Sequence, residues 1–175
     1  ASARIGMSFL QKSAKVLARA GHPVRWRNPV GFPVVQDYPE FKSMRVKTKL
    51  FGEVIKPRIN VETDKLSVLR AGNGLPPNFI HAQDSAHMMM VVSESYDKGL
   101  THFCNVHDSF GTLASDSQVL AETIRSTFVD MYDNGCPLEG FKTSIKPILT
   151  DKERKKLPAV PKKGDFDVKE VIHSE

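Results

Sequence analysis

The stretch HFCNVHDSFGTLASD, residues 102–116, decides how the rest of the chain is read. Apolar and β-prone residues climb to His107 and Asp108, then turn over through Ser109, Phe110, Gly111 and Thr112. The pattern predicts a hairpin over residues 101–113, buried along its arms, with a carboxylate at its crest. An ionised carboxylate is costly to bury without a partner, so water or a metal ion has to stabilise it there. Neighbouring strand residues point to opposite faces, so His107, Asp108 and Ser109 do not form a hydrolase triad. Asp108 on a stiff turn instead suits a Mg²⁺ ion, which prefers oxygen donors and keeps several of its waters. The same His-Asp pair also fits an ordinary surface turn.

Outward from the hairpin, the predicted elements are mixed. On the C-terminal side, SDSQ (115–118) reads as a capping box with Ser115 at the cap and Gln118 three residues on. Val119, Leu120, Ile124, Phe128 and Met131 then line one face of a helix to Asp133, stopped by Asn134-Gly135. A further helix covers Leu138 to Leu149, bent at Pro147. Residues 151–164 read as a basic, proline-punctuated connector, and 165–175 as a short amphipathic element. On the N-terminal side, Asp84 caps a helix that runs to Lys98 and ends at Gly99, with Met88, Val91, Val92 and Ser95 facing the core. AGNGLPP (71–77) reads as a loop, and TDKLSVLR (63–70) as a short helix capped by Thr63 or Asp64.

The first third carries most of the charge. Residues 1–60 hold 12 Lys and Arg against 3 Asp and Glu, whereas residues 61–150 hold 6 against 11. Such a basic block suits a polyanion, nucleic acid above all, and equally a solvated face with no partner. Residues 3–20 read as a helix with Met7, Leu10, Ala14 and Leu17 on its apolar stripe and Arg4, Lys12, Lys15 and Arg19 opposite; Gly21 and Pro23 end it. VRWRNPVGFPVVQDY (24–38) reads as two short strands around Asn28–Gly31. Residues 43–60 read as a β-ribbon with Gly52 at its tip. Arg45, Lys47 and Lys49 alternate with Met44, Val46, Thr48 and Leu50, which puts the cations on one face about 6.7 Å apart. Lys56 and Arg58 return on the second strand. A ribbon of this kind fits a DNA major groove. It also fits a lysine-blunted sheet edge.

Two cysteines, Cys104 and Cys136, make neither a metal spacing nor a disulfide scaffold, which suits a reduced, intracellular setting. No apolar run reaches the length of a membrane span, and Lys12, Lys15 and Arg19 interrupt the N-terminal apolar positions that a signal peptide would need. His81, Asp84 and His87, spaced by threes, offer a possible metal cluster without the i, i+4 histidine pair of a zinc-protease helix.

Taken together and in order, GFPVVQDY (31–38), PNFIHAQDSAHM (77–88), VHDSFGT (106–112), LAETIRSTFVDMY (120–132) and LPAVPKKGDFDVKEVI (157–172) resemble the C-terminal region of the phage-type single-subunit DNA-dependent RNA polymerases. The resemblance covers nearly the whole chain. It implies an α+β fold: part of the palm of a right-hand polymerase, with a hairpin bearing a catalytic aspartate packed on helices, and adjoining fingers elements. Residues 1–42 would supply a helix and palm or fingers strands, 43–60 the promoter-specificity hairpin, 61–150 the palm region, and 151–175 a connector with a short terminal element.

The resemblance also implies roles. Asp108 would be the catalytic residue and Mg²⁺ ligand. His107 would sit near the 3′ end of the RNA, and His81 near the sugar of the incoming nucleotide. Arg45, Lys47 and Lys49, with Lys56 and Arg58, would contact promoter DNA. The implied reaction is template-dependent nucleotidyl transfer from nucleoside triphosphates by a two-metal mechanism, with DNA template, RNA transcript and the remainder of the polymerase chain as partners and no membrane. The family's second catalytic aspartate and its nucleotide-binding fingers helix have no counterpart in these residues, and the chain ends His173-Ser174-Glu175 where the family has an aromatic tail. The chain therefore reads as a fragment, inactive alone. A phage or prophage source would place it in a bacterial host cytoplasm; an organelle is the other possibility. Two rivals remain: a non-catalytic basic DNA-binding module or polymerase remnant, and a hydrolase or nuclease built on His81, Asp84 and His87.

Overall fold

A computed structural model describes residues 2–133 and 135–173. Among these, helices dominate and three separate two-stranded antiparallel sheets accompany them, an α+β arrangement. The Asn134 stop and the Ser174-Glu175 end lie outside the described residues.

Helix α1 spans Ser2–Arg19, and Gly21 follows with φ of 78°, a left-handed turn that glycine adopts without a Cβ penalty. Its buried side is Phe9, Leu10, Ser13, Ala14, Leu17 and Ala18. Met7, expected on that stripe, is 52% exposed; Phe9, two residues on, takes the inward place instead. Strands β1 (Val24–Arg27) and β2 (Pro33–Gln36) pair around the Asn28–Gly31 turn, which Asn28 Oδ1 closes by accepting from the Phe32 amide at 2.8 Å.

The ribbon is longer than residues 43–60. Strand β3 (Pro39–Arg45) pairs with β6 (Arg58–Leu66), and β4 (Thr48–Leu50) with β5 (Glu53–Ile55). Phe51 and Gly52 form the tip with φ of 50° and 86°, the positive pair that a two-residue I′ hairpin turn requires. Because β6 continues to Leu66, the helix expected over 63–70 begins only at Val68. Thr63 lies in the ladder, where its hydroxyl donates to the Glu40 carbonyl at 2.9 Å. The N-cap is Ser67, whose hydroxyl accepts from the Arg70 amide.

Helix α2 then runs from Val68 to Asp97, 30 residues and about 45 Å. It passes straight through AGNGLPP, expected as a loop, and through Asp84, expected as a cap. Pro76 and Pro77 each remove a helical hydrogen bond, at a cost of about 3 kcal/mol. Tertiary burial offsets this. Ala71, Gly72, Leu75, Pro76, Phe79, Ala82, Gln83 and Ala86 are all buried on one face, much of it against α1. Full burial of a Leu or Phe side chain is worth about 1.5–3 kcal/mol. Trp26, Phe79 and Phe141 form a ring cluster at the centre of this core, with centroids 5.5–6.1 Å apart.

Helix α3 spans Ser117–Asp133, preceded by a single 3₁₀ turn at Ala114–Asp116. The Ser115–Gln118 capping box does not form: Ser115 bonds the Asp116 carboxylate, and Gln118 bonds Glu122. Helix α4 (Pro137–Ile145) tightens into a 3₁₀ turn at Lys146–Ile148, the bend expected at Pro147. A one-turn helix α5 (Asp151–Arg154) follows where a plain connector was expected. Glu153 turns back to accept from the Thr150 amide at 2.9 Å and hydroxyl at 2.7 Å, and these bonds pull its carboxyl below the usual glutamate range.

The ribbon's base is clamped to the first half of α2. Gln36 Nε2 donates to the Gly74 carbonyl at 3.3 Å, Asn78 Nδ2 donates to the Tyr38 hydroxyl at 3.1 Å, and the Arg70 guanidinium lies 5.4 Å from the Tyr38 ring centroid. Gly74 makes this possible, since a Cβ there would sit 2.5 Å from the Tyr38 oxygen and 2.9 Å from two ring carbons. Gly74→Ala is expected to lower stability by about 1–3 kcal/mol through overpacking, read as a lower urea midpoint.

Candidate active site and nucleic-acid interface

The 101–113 segment folds as a narrow hairpin with one isolated bridge rather than two strands. Val106 and Ser109 exchange amide–carbonyl bonds at 3.0 and 2.9 Å, and the Cys104 amide donates to the Gly111 carbonyl at 2.9 Å. His107 sits at φ of 55°, and Asp108 follows it at the crest. A positive φ at the first turn residue alone is the sign pattern of a II′ hairpin turn. Gly111 is required by close approach, because a Cβ would lie 3.1 Å from the Cys104 carbonyl oxygen.

The hairpin arms are not buried as expected. Val106 is 61% exposed, and His107 and Asp108 are exposed. Water can therefore solvate the carboxylate, and the desolvation problem the sequence posed does not arise. Only Phe103 and Phe110 point inward, onto a small second core of Val91, Leu100 and Leu120. These two rings fix the hairpin to α2 and α3.

This anchoring sets the hairpin crest against the middle of α2. His81, Asp84, Ser85 and Met88 recur at helical spacing and form one wall of a groove of about 640 Å³; Asn105, His107 and Asp108 form the other. His81, His107 and Asp108, separated in sequence, thus share one cleft. Asp84 and Asn105 join them. Asn105 holds its side-chain oxygen buried on this wall without a hydrogen-bond partner among the described residues.

His87 leaves the group. It turns to the neighbouring face of α2 that meets α3, where Nε2–H reaches the Ile124 carbonyl at 3.0 Å and the Thr127 hydroxyl at 3.1 Å, between the rings of Phe110 and Phe128. The possible His81/Asp84/His87 metal cluster is therefore split between two faces of the helix. Among the described residues no three His, Cys, Asp or Glu side chains are placed to hold a metal on their own. The groove instead offers the carboxylates of Asp84 and Asp108 and the orphaned Asn105 oxygen, hard donors that suit an ion bringing its own waters.

Sequence reading missed Tyr132, on the last turn of α3. Its ring packs on Phe128 at 4.8 Å between centroids. Burial, and then the negative charge of Asp84, push its phenol above the usual tyrosine range.

The ribbon presents its cations as expected. Arg45 stands directly opposite Arg58, and Lys49 opposite Val54. The two ladders share one register across the break between them, where the Val46 amide donates to the Pro57 carbonyl at 3.1 Å, so Lys47 falls opposite Lys56. This resolves which face the return strand presents: all five cations fall on one side. Like charges directly opposed in a sheet are destabilising on their own. The reverse face carries Met44, Ile55, Ile59 and Val61, all exposed.

With this geometry, a family model described as DNA-dependent RNA polymerase matches residues 1–155. The mitochondrial DNA-directed RNA polymerase 1 of Nicotiana sylvestris is 39% identical over 173 residues, 99% of this chain and 16% of that protein. DNA-directed RNA polymerase 1A of Nicotiana tabacum is 38% identical over 159 residues, 91% of this chain and 97% of that sequence. The chloroplastic DNA-directed RNA polymerase 3 of Nicotiana sylvestris is 39% identical over 176 residues, covering 99% of this chain and 17% of that protein.

The chain belongs to the phage-type DNA-dependent RNA polymerase family. It spans about a sixth of the length of the mitochondrial relative. The expected bacterial host cytoplasm is overturned, since two of these relatives are named as mitochondrial and chloroplastic plant enzymes. No described helix is long and apolar enough to cross a membrane.

The raised phenol of Tyr132 gives a pH test. Its folded value exceeds the unfolded one of about 10, so the neutral ring contributes stability below that pH and the contribution fades as pH rises through the folded value. Urea denaturation at alkaline pH is expected to show this loss in the parent protein and a smaller loss in Tyr132→Phe.

Proposed function

We propose that this chain forms part of the palm of a DNA-directed RNA polymerase, with adjoining fingers elements, and that the groove between α2 and the 101–113 hairpin is where nucleotidyl transfer occurs. The observation that carries the reading is the meeting of His81, His107 and Asp108 in one cleft. Asp108 would hold Mg²⁺ together with a carboxylate from outside these residues. A bound Mg²⁺ supplies charge neutralisation at the reacting phosphate and the departing pyrophosphate. His107 borders the RNA 3′ end, and His81 faces the ribose of the incoming nucleoside triphosphate. The chain's own contribution is placement: α2 supplies one rigid wall, the hairpin the other, and catalysis follows from orientation and preset electrostatics.

Asp108→Asn keeps the shape of the turn and removes the negative charge. Extension of RNA on a DNA template is expected to fall by about 100-fold or more, with DNA binding unchanged. Chelation of divalent ions is expected to stop extension and added Mg²⁺ to restore it. Full activity in the Asn variant would overturn the reading; primer extension by these 175 residues alone would overturn only the need for a carboxylate from outside them.

The ribbon is proposed to enter promoter DNA through Arg45, Lys47, Lys49, Lys56 and Arg58. The opposed Arg45–Arg58 pair supports this, since an anion between the two would relieve their repulsion. Lys47→Ala is expected to weaken promoter binding by about 1–3 kcal/mol with altered sequence preference if it reads a base. A phosphate contact would instead lower the salt slope by about one, whatever the sequence. A DNA-binding remnant without catalysis is the second reading; it predicts no effect of Asp108→Asn in any assay. Because the named relatives work in mitochondria or chloroplasts, an organelle is the proposed location.

A further inference from the structure

Away from the His81–Asp108 groove, α1 packs beside residues 153–161 and leaves a second groove whose charged groups are all cations except Glu153, set among apolar lining from Ile5, Phe9, Val16 and Ala20. Its α1 wall is Arg4, Ser8, Lys12, Lys15 and Arg19, steps of four, four, three and four residues that hold one stripe. Lys12 lines both stretches of it, neighbouring cavities of about 310 and 360 Å³ along α1. The far wall begins at Glu153 and Lys156 and continues through Pro158, Ala159 and Pro161. Lys12 and Lys156 are 144 positions apart in sequence, so the fold, not a local basic run, brings them together.

Three features separate this groove from a merely solvated basic face. First, counter-charge is absent from its α1 side: the first acidic residue of the chain is Asp37. None of Arg4, Lys12, Lys15, Arg19 and Lys156 makes an ion pair among the described residues. Second, the one acid present, Glu153, held ionised by two hydrogen bonds from Thr150, offsets only one of the five cations. Third, Lys15 is positioned. Its stem crosses Gly72 of α2, where a Cβ would lie 2.8 Å from Lys15 Cε, and the side chain is only partly exposed.

We propose that this groove binds the phosphodiester backbone of a single nucleic-acid strand. From Arg4 to Arg19 the helix rises about 22 Å. A strand advancing about 3.4 Å per phosphate presents about six charges over that length. Long Lys and Arg side chains spaced along a groove match the repeat of a phosphate backbone, a contact indifferent to sequence. The inference rests on the polymerase reading for its nucleic acid, and names a surface that reading does not use.

The test is fluorescence anisotropy on the protein expressed from its complete reading frame, with labelled single-stranded DNA and RNA of matched length and sequence, titrated with NaCl. Lys12→Gln/Lys15→Gln/Arg19→Gln is expected to weaken binding at least about tenfold near 100 mM salt and to flatten the salt slope by about two. Lys12→Arg/Lys15→Arg, which keeps the charges, is expected to bind as the parent does. Should the triple variant fail to fold, Lys15→Met keeps the stem across Gly72 and is expected to flatten the slope by about 0.7. Loss with DNA alone, RNA alone or both supports the groove and names the strand it holds. Unchanged affinity and slope with both probes overturns it. If that happens while Asp108→Asn still abolishes extension, the groove proposal falls alone; if the parent protein binds neither probe, both readings fall.

Discussion

Everything that positions the chemistry depends on α2 staying continuous through Pro76 and Pro77. A helix that broke there would free the Tyr38 clamp from the wall bearing His81 and Asp84. The two prolines remove amide donors on a stretch whose buried face carries Ala71, Leu75 and Phe79, and α1 and the Trp26–Phe141 cluster hold that face on both sides of the defect. Packing therefore supplies what backbone hydrogen bonding lacks. One continuous helix then serves three tasks along its length: the ribbon's base near Arg70 to Asn78, the groove wall from His81 to Met88, and the His87 tie to α3 on a flanking face.

What the sequence made legible was local. Gly21, Gly52 and Gly99 each end or turn an element because only a left-handed backbone satisfies the next bond, and glycine is the residue that takes it cheaply. The alternation of Arg45, Lys47 and Lys49 with apolar neighbours fixed the ribbon's faces before any pairing was known. The start of α2 was not legible, since Gly72, Gly74 and the proline pair carry every local sign of a loop. Their helical state comes from burial against α1, which no window of sequence contains. Met7 and Phe9 show the same limit on a smaller scale: both fit an apolar stripe, and the position of α2 decides which is covered.

The site was half legible. Spacing alone suggested His81, Asp84 and His87 as a group, and the helix puts them on two faces. The grouping of His81 with His107 and Asp108, which line one groove, followed from resemblance to a family rather than from periodicity. Asn105 and Tyr132 gave no signal, because each enters the neighbourhood through contacts between α2, α3 and the hairpin. The buried polar residues that join α2 to α3 were equally hidden. Thr123 and Thr127 lie in the interface where a run of Ile and Phe was expected, each bonding the carbonyl one turn back at 2.8 and 2.7 Å and so remaining satisfied without a partner helix.

The turn at Val106–Ser109 has a consequence for ligand capture. Its two cross-strand bonds immobilise the main chain on both sides of Asp108, and the left-handed His107 fixes the direction in which the next residue leaves. Only two side-chain torsions then separate that frozen scaffold from the carboxylate oxygens. A cation arriving there meets an acid with little rotational freedom left to surrender, so association there loses less entropy than it would on a supple loop.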